Sequence, residues 1–228
     1  MNKQISRSEL GAEFFGSMIL LIAAISPTLM FTLVFEADAG IALLANGIGV
    51  AFILCGLIEM FGPVSGAHFN PVVTMVMVFE KKIGVPKALL FVLAQFAGGI
   101  GGIVLSHLMF FDKVGDLLSV SDTVRDGYVF FGEILGTFIL ILTILLLVKT
   151  KSKKTSIIIG LVVGGLIFST SSTMFANPQV TVARMFTGTS AGIRPVDGFI
   201  FVAMQLTGAL LAYVVYRLVF ADIVCGEN

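Results

Sequence analysis

The sequence predicts an all-α membrane protein: six transmembrane helices plus two re-entrant half-helices, in two three-span halves of opposite orientation. Three observations carry that prediction. The 228-residue chain is 57% hydrophobic and only 12% charged. A soluble domain carries about 25% charged residues, so too little polar surface is left to cover a water-facing fold. Stretches of span length, free of charge or nearly so, recur along the chain. Three short markers appear twice, in the same order. Disordered, collagenous and disulfide-stapled chains are excluded by the same composition. The net charge of zero offers no basic patch for a nucleic-acid partner. Cys55 and Cys225 read as two lone thiols.

A helix needs about 20 apolar residues to cross the hydrocarbon core. Residues 14–35 form the first span; the run is too long for a signal peptide and has no small-residue cleavage site. Residues 39–58, 88–111 and 127–148 follow, the last interrupted only by Glu133. Residues 155–183 are uncharged beyond the length of one span and hold the fifth. Residues 198–216 close the set of six. Two apolar pieces remain, 60–79 and 174–183. The first contains Gly62, Pro63, Gly66 and Pro71, and the second contains Pro178. Neither makes a seventh span. Each reads as a segment that enters and returns, which at membrane depth must be buried in protein or line a cavity.

The charges orient the chain. Lys3, Arg7, Lys81, Lys82, Lys87, Lys149, Lys151, Lys153, Lys154 and Arg217 fall on one side of the six spans. The other side has Lys113, Arg125, Arg184 and Arg194, together with Glu36, Asp38, Asp112, Asp116, Asp122, Asp126 and Asp197. The basic side is expected to be cytoplasmic, with both termini inside, in a plasma or inner membrane.

The repeat divides a single channel domain, 1–228, into halves 1–112 and 127–228. Gly11-Ala12-Glu13-Phe14-Phe15-Gly16 matches Phe131-Gly132-Glu133-Ile134-Leu135-Gly136 in placing a glutamate three residues before a glycine. Asn70-Pro71 matches Asn177-Pro178, and Gln95 with Gly98 matches Gln205 with Gly208. Three spans per half is odd, so the second half sits inverted, and equivalent elements meet near the midplane. Asparagine is a strong N-cap and proline suits the first helical position. Pro71 and Pro178 therefore start half-helices of roughly ten residues. Their N-termini and the amides of Asn70 and Asn177 would face a passing solute's lone pairs and oppose cations.

With these residues in place, the chain resembles the aquaporin (major intrinsic protein) family over nearly its whole length. The carriers are Ala12-Glu13-Phe14, Ser65-Gly66-Ala67-His68-Phe69-Asn70-Pro71, Asn177-Pro178, and the glutamate and glutamine repeats. The resemblance implies one pore per subunit and a homotetramer in the lipid bilayer. It also implies a scaffold role for Glu13, Glu133, Gln95 and Gln205, the glutamates accepting hydrogen bonds from the re-entrant loops; intramembrane carboxylates are otherwise candidates for transport chemistry. Backbone carbonyls of Gly66, Ala67 and His68, and of Phe175 and Ala176, would line the pore. His68 is also a candidate pH gate.

The sequence departs from the family at points that bear on selectivity. The third box residue is Val72 in one half and Gln179 in the other. Both should point away from the pore, Gln179 with an unnamed partner. The arginine expected three residues after the second asparagine is Val180. By the same carry-over the selectivity filter is Val50, Gly165, Met174 and Val180, without charge, aromatic ring or histidine. Arg184 lies one turn further out, as either a vestibule residue or a charge complementing a helix C-terminus. The segment 180–195 resembles the arsenic-operon-associated bacterial aquaporins, linked with methylated arsenicals.

The expected function is a passive channel for small uncharged solutes: glycerol-like polyols, neutral metalloid hydroxides or methylated arsenicals, and water. The alternative is a mainly water-conducting pore. No nucleophile–base set, metal cluster or phosphate-binding loop is visible, so neither an enzyme nor a cofactor is expected. A vestigial pore in a structural membrane protein is the reading from another class, and the paired asparagines argue against it.

Overall fold

The computed structural model describes residues 6–222; Lys3 and Cys225 lie outside them. Among these residues the chain is helical, with no strand. Helix α1 (Arg7–Leu29) opens with a capping box, in which Ser6 Oγ accepts from the Glu9 N–H and the Glu9 carboxylate accepts from the Ser6 N–H, both at 3.1 Å. Pro27 removes one bond of the helical ladder, and the chain winds on as π-helix over Met30–Val34. Helix α2 (Ala39–Ser65) is capped by Asp38 and runs through Pro63, past the predicted end at 58. It stops at Gly66, where φ of 93° favours a residue without a side chain.

The remaining helices are α3 (Pro71–Phe79), α4 (Val85–Met109), the single turn α5 (Phe111–Val114), α6 (Val129–Lys149), α7 (Thr155–Ser169), α8 (Pro178–Arg184) and α9 (Pro195–Val219). Five are long and apolar enough to cross a membrane: α1 with its π-helical end, α2, α4, α6 and α9. The fifth predicted span needs correction, because α7 has only 15 residues. That is about 22 Å of helix against a hydrocarbon core of about 30 Å. The shortening follows from what comes next. Asn177 precedes a proline and is extended at φ −155°, and the loop before it is drawn out to the Glu133 carboxylate. The half-helices are also shorter than expected, with nine residues in α3 and seven in α8.

The two halves pack alike. α1 crosses α4, α6 crosses α9, and α2 lies against α7. At the first crossing Gly98 meets the backbone so closely that a Cβ there would stand 2.2 Å from the Phe14 carbonyl oxygen. At the second, a Cβ on Gly208 would stand 2.4 Å from that of Ile134. Small residues of this kind let helices approach where lipid supplies no hydrophobic force. Large apolar side chains such as Phe52, Leu93, Phe131 and Phe199 stay exposed, a surface suited to lipid.

α3 and α8 begin side by side and leave in opposite directions. α3 ends near Arg217, which reaches Glu80 at 3.9 Å. α8 ends against the 115–128 connection, where Ser121 N–H donates to the Met185 carbonyl at 2.9 Å.

Candidate functional site

Two buried carboxylates hold the re-entrant loops. Glu13 accepts from Ser65 Oγ (2.6 Å), His68 N–H (3.0 Å), Phe69 N–H (2.8 Å) and Gln95 Nε2 (2.7 Å). Glu133 accepts from Phe175 N–H (2.9 Å), Ala176 N–H (2.9 Å) and Gln205 Nε2 (2.6 Å). The two glutamines extend the symmetry, Gln95 donating to Thr74 Oγ1 at 3.0 Å and Gln205 to Thr181 Oγ1 at 2.8 Å. Both carboxylates are fully buried. A buried charge is stable only when its lone pairs are used, and these are. The same bonds offset backbone strain: Ala67, Phe69, Met174 and Ala176 all have positive φ in the left-handed region.

The asparagines cap their own half-helices and cross-link the opposite loops. Asn70 Oδ1 accepts from Val72 N–H at 3.0 Å, while its Nδ2 donates to the Ala176 carbonyl at 2.9 Å. Asn177 Oδ1 accepts from Gln179 N–H at 3.2 Å, and its Nδ2 donates to the Phe69 carbonyl at 2.8 Å. An amide nitrogen carries two hydrogens, so each side chain retains one donor. Val72 and Gln179 are fully buried behind them. Gln179 has the Phe69 carbonyl as its partner, at 3.3 Å.

A cavity of about 390 Å³ passes these asparagines. Lys82, Ile83 and Lys87 line one end; Val50, Val163, Ile167, Thr173, Met174, Phe175, Val180 and Arg184 line its wall toward the other. Gly66, Ala67, His68, Asn70 and Asn177 lie between. Two corrections follow. Gly165 is not in this wall; Val163 and Ile167 take the α7 side, because the neighbouring Gly164 is the face that packs on α2, its Cβ position 2.7 Å from the Gly47 carbonyl oxygen. Ala176 is not in the wall either, since its carbonyl is turned to Asn70. Val50, Met174 and Val180 lie in this wall, and Phe175 and the vestibule candidate Arg184 line the same end. His68 contributes to the wall and pairs through Nδ1 with Thr74 Oγ1 at 3.1 Å.

Arg184 occupies the last turn of α8 and is only 7% exposed. Its Nε donates to the Ala191 carbonyl at 2.6 Å, and its guanidinium lies 4.0 Å from the Phe175 ring centroid. A second guanidinium, that of Arg125, stands 4.9 Å from the same centroid. Sequence reasoning missed Arg125, which belongs to a connection between the halves with no motif of its own. That connection lies over the 185–194 segment. Arg125 ties them through Nε to Gly192 O (2.9 Å) and Nη2 to Ser190 O (3.4 Å), and reaches Thr173 Oγ1 through Nη1 (3.3 Å). Burial holds its pKa below the usual arginine value, with Glu133 opposing that shift. His107 pins the same loops from α4, its Nδ1 2.8 Å from the Asp116 carbonyl and its Nε2 2.7 Å from Thr187 Oγ1.

Two inverted loops held by paired carboxylates, with asparagines crossing at the centre of a cavity, form a pore architecture. The profile of the Major intrinsic protein family matches residues 2–176. The chain belongs to the major intrinsic protein family. It is 38% identical over 209 residues to the aquaglyceroporin AqpS of Rhizobium meliloti (strain 1021), covering 90% of this chain and 87% of that one. It is 27% identical over 220 residues to Aquaporin-4 of Mus musculus, covering 92% and 66%. The X-ray structure of the aquaglyceroporin from Plasmodium falciparum superposes with a TM-score of 0.73 at 20% identity, over 93% of this chain and 96% of that one, a likeness of fold. The protein is thus a multi-pass member of a family of membrane channels rather than enzymes.

Proposed function

We propose that the cavity is a passive pore for small uncharged solutes. Glycerol-like polyols, neutral metalloid hydroxides or methylated arsenicals would pass, together with water. The observation that carries this reading is the wall formed by Val50, Ile167, Met174 and Val180, which places no charged group where Val180 stands. A solute larger and less polar than water meets less resistance there than at a filter narrowed by an arginine. The remaining N–H of Asn70 and of Asn177 would receive its hydroxyl lone pairs. The names of AqpS and of the Plasmodium falciparum structure, both called aquaglyceroporins, point the same way. Arg184 in the wall favours a second reading, a mainly water-conducting pore.

We read the chain as one channel domain of two inverted halves, 1–112 and 127–228. It would sit in a plasma or inner membrane with cytoplasmic termini and assemble as a homotetramer, in keeping with the basic residues gathered at one end.

Liposomes holding the purified protein test the solute reading by osmotic swelling in glycerol, urea and a neutral methylated arsenical, with water flux measured in parallel. Swelling above protein-free liposomes for any solute besides water is the expected result. Water flux alone would establish the second reading, and no flux would overturn both.

A further inference from the structure

Among the described residues, the charged side chains in the cavity wall are Lys82, Lys87 and Arg184, with no aspartate or glutamate. Arg184 is the deepest buried of the three, and its hydrogen-bonding capacity is mostly unused. Nε is held by the Ala191 carbonyl, while the two terminal nitrogens have no acceptor among the described residues. The carboxylate nearest in effect is Glu133, whose oxygens are already taken by Phe175, Ala176 and Gln205. Arg125 places a second guanidinium on the same ring, and each of its terminal nitrogens already gives one N–H to the protein, to Thr173 and Ser190. Two cations therefore flank Phe175 without a partner carboxylate. One is locked as scaffold; the other presents free, fixed donors to the cavity. An arrangement of that kind is short of one negative charge.

We propose that this end of the cavity is a binding site for a small monovalent oxyanion. Arg184 would hold it through its paired terminal N–H groups, the planar fork that suits two oxygens of one anion. Arg125 would add charge from behind the ring without touching the ligand. The site would concentrate such anions at the pore mouth and place a bound one in the path of neutral solutes. The inference rests on the pore reading only for its flux readout.

The probe is nitrate, which stays ionised and carries oxygens in the required plane. Proteoliposomes are equilibrated on both sides with sodium nitrate or with sodium gluconate, an anion too large for the site, and glycerol uptake is followed by light scattering. The expected result is saturable slowing by nitrate and none by gluconate. The nitrate concentration for half-effect should rise about ten-fold or more in Arg184→Gln, and less in Arg184→Lys, which keeps the charge but loses the fork. Arg125→Gln, outside α8, should also raise it and serves if the Arg184 variants fail to fold. Line broadening of nitrogen-15 nitrate by the protein in micelles reads binding without flux, so a protein that conducts nothing still gives an answer. Equal uptake in the two salts together with equal nitrate linewidths with and without protein would overturn the proposal. So would unchanged nitrate sensitivity in folded Arg184→Gln. Wild-type protein that broadens nitrate but passes no glycerol or water would sink the pore reading and leave the anion site standing.

Discussion

Glu133→Gln is the sharpest probe of how the pore loop is held. The change keeps the shape of the side chain and removes its charge. In the wild type one oxygen accepts from Phe175 N–H and the other from Ala176 N–H and Gln205 Nε2. An amide has one oxygen to offer. Its cheaper placement keeps that oxygen on Ala176 and Gln205 and turns the NH₂ toward the Phe175 N–H, so one bond is lost outright and two weaken. A bond to a charged acceptor is worth about 1.5–3 kcal/mol and a neutral one about 0.5–1.5, so the loss is about 3–5 kcal/mol. For a chain of this size each kcal/mol moves Tm by about 2–4 °C, which predicts a fall of about 6–20 °C. Heating detergent-solubilised protein and scoring the surviving oligomer or monomer peak by size exclusion measures it. Glu13→Gln should fall by a similar amount, because Glu13 accepts four hydrogen bonds. A shift of less than about 2 °C in both variants would refute the reasoning, since it would mean that the carboxylates carry less than about 1 kcal/mol each.

Three further outcomes are expected. Val180→Arg should cut glycerol flux through liposomes by a larger factor than water flux; it puts a third guanidinium one helical turn from Arg184, where like charges at i,i+4 repel, and equal loss of both solutes would remove Val180 from the narrow part of the pore. Ile167→Phe should reduce glycerol uptake several-fold, whereas Gly165→Ala should leave it near wild type, because Ile167 lines the cavity and a Cβ on Gly165 meets nothing within 4 Å; the reverse pattern would restore Gly165 to the wall. Gly208→Ala should destabilise the solubilised protein by about 1–3 kcal/mol through overpacking, seen as a lower Tm, since its Cβ would collide with the Ile134 carbonyl oxygen; an unchanged Tm would show that α6 and α9 can part at no cost.

Much of the site was legible in the chain because its chemistry is written twice. Glu13 and Glu133, Gln95 and Gln205, and Asn70-Pro71 and Asn177-Pro178 recur in order, and each pair has equivalent partners in the folded molecule. Half-helix starts were readable too, because N-cap and N1 preferences are local. Gly165 was misplaced for the opposite reason. Counting back from Asn177 assumes an uninterrupted register, but the helix ends at Ser169 and an extended loop intervenes, so the face presented to the cavity shifts to Val163 and Ile167. The length of α7 was overestimated on the same ground, since an apolar stretch does not reveal where a carboxylate from another helix will pull it straight.

Composition and the repeated polar markers were thus determined by the sequence alone, since each depends on residue type and spacing within a segment. Which side chains share the pore was decided by tertiary packing. Arg184 entered the wall because the short α8 brings its last turn onto Phe175, and Arg125 reaches the same ring from a distant connection that is hydrogen-bonded to the 185–194 segment. Contacts between segments far apart in the chain leave no periodicity to read, and here they supplied both cations that flank the mouth.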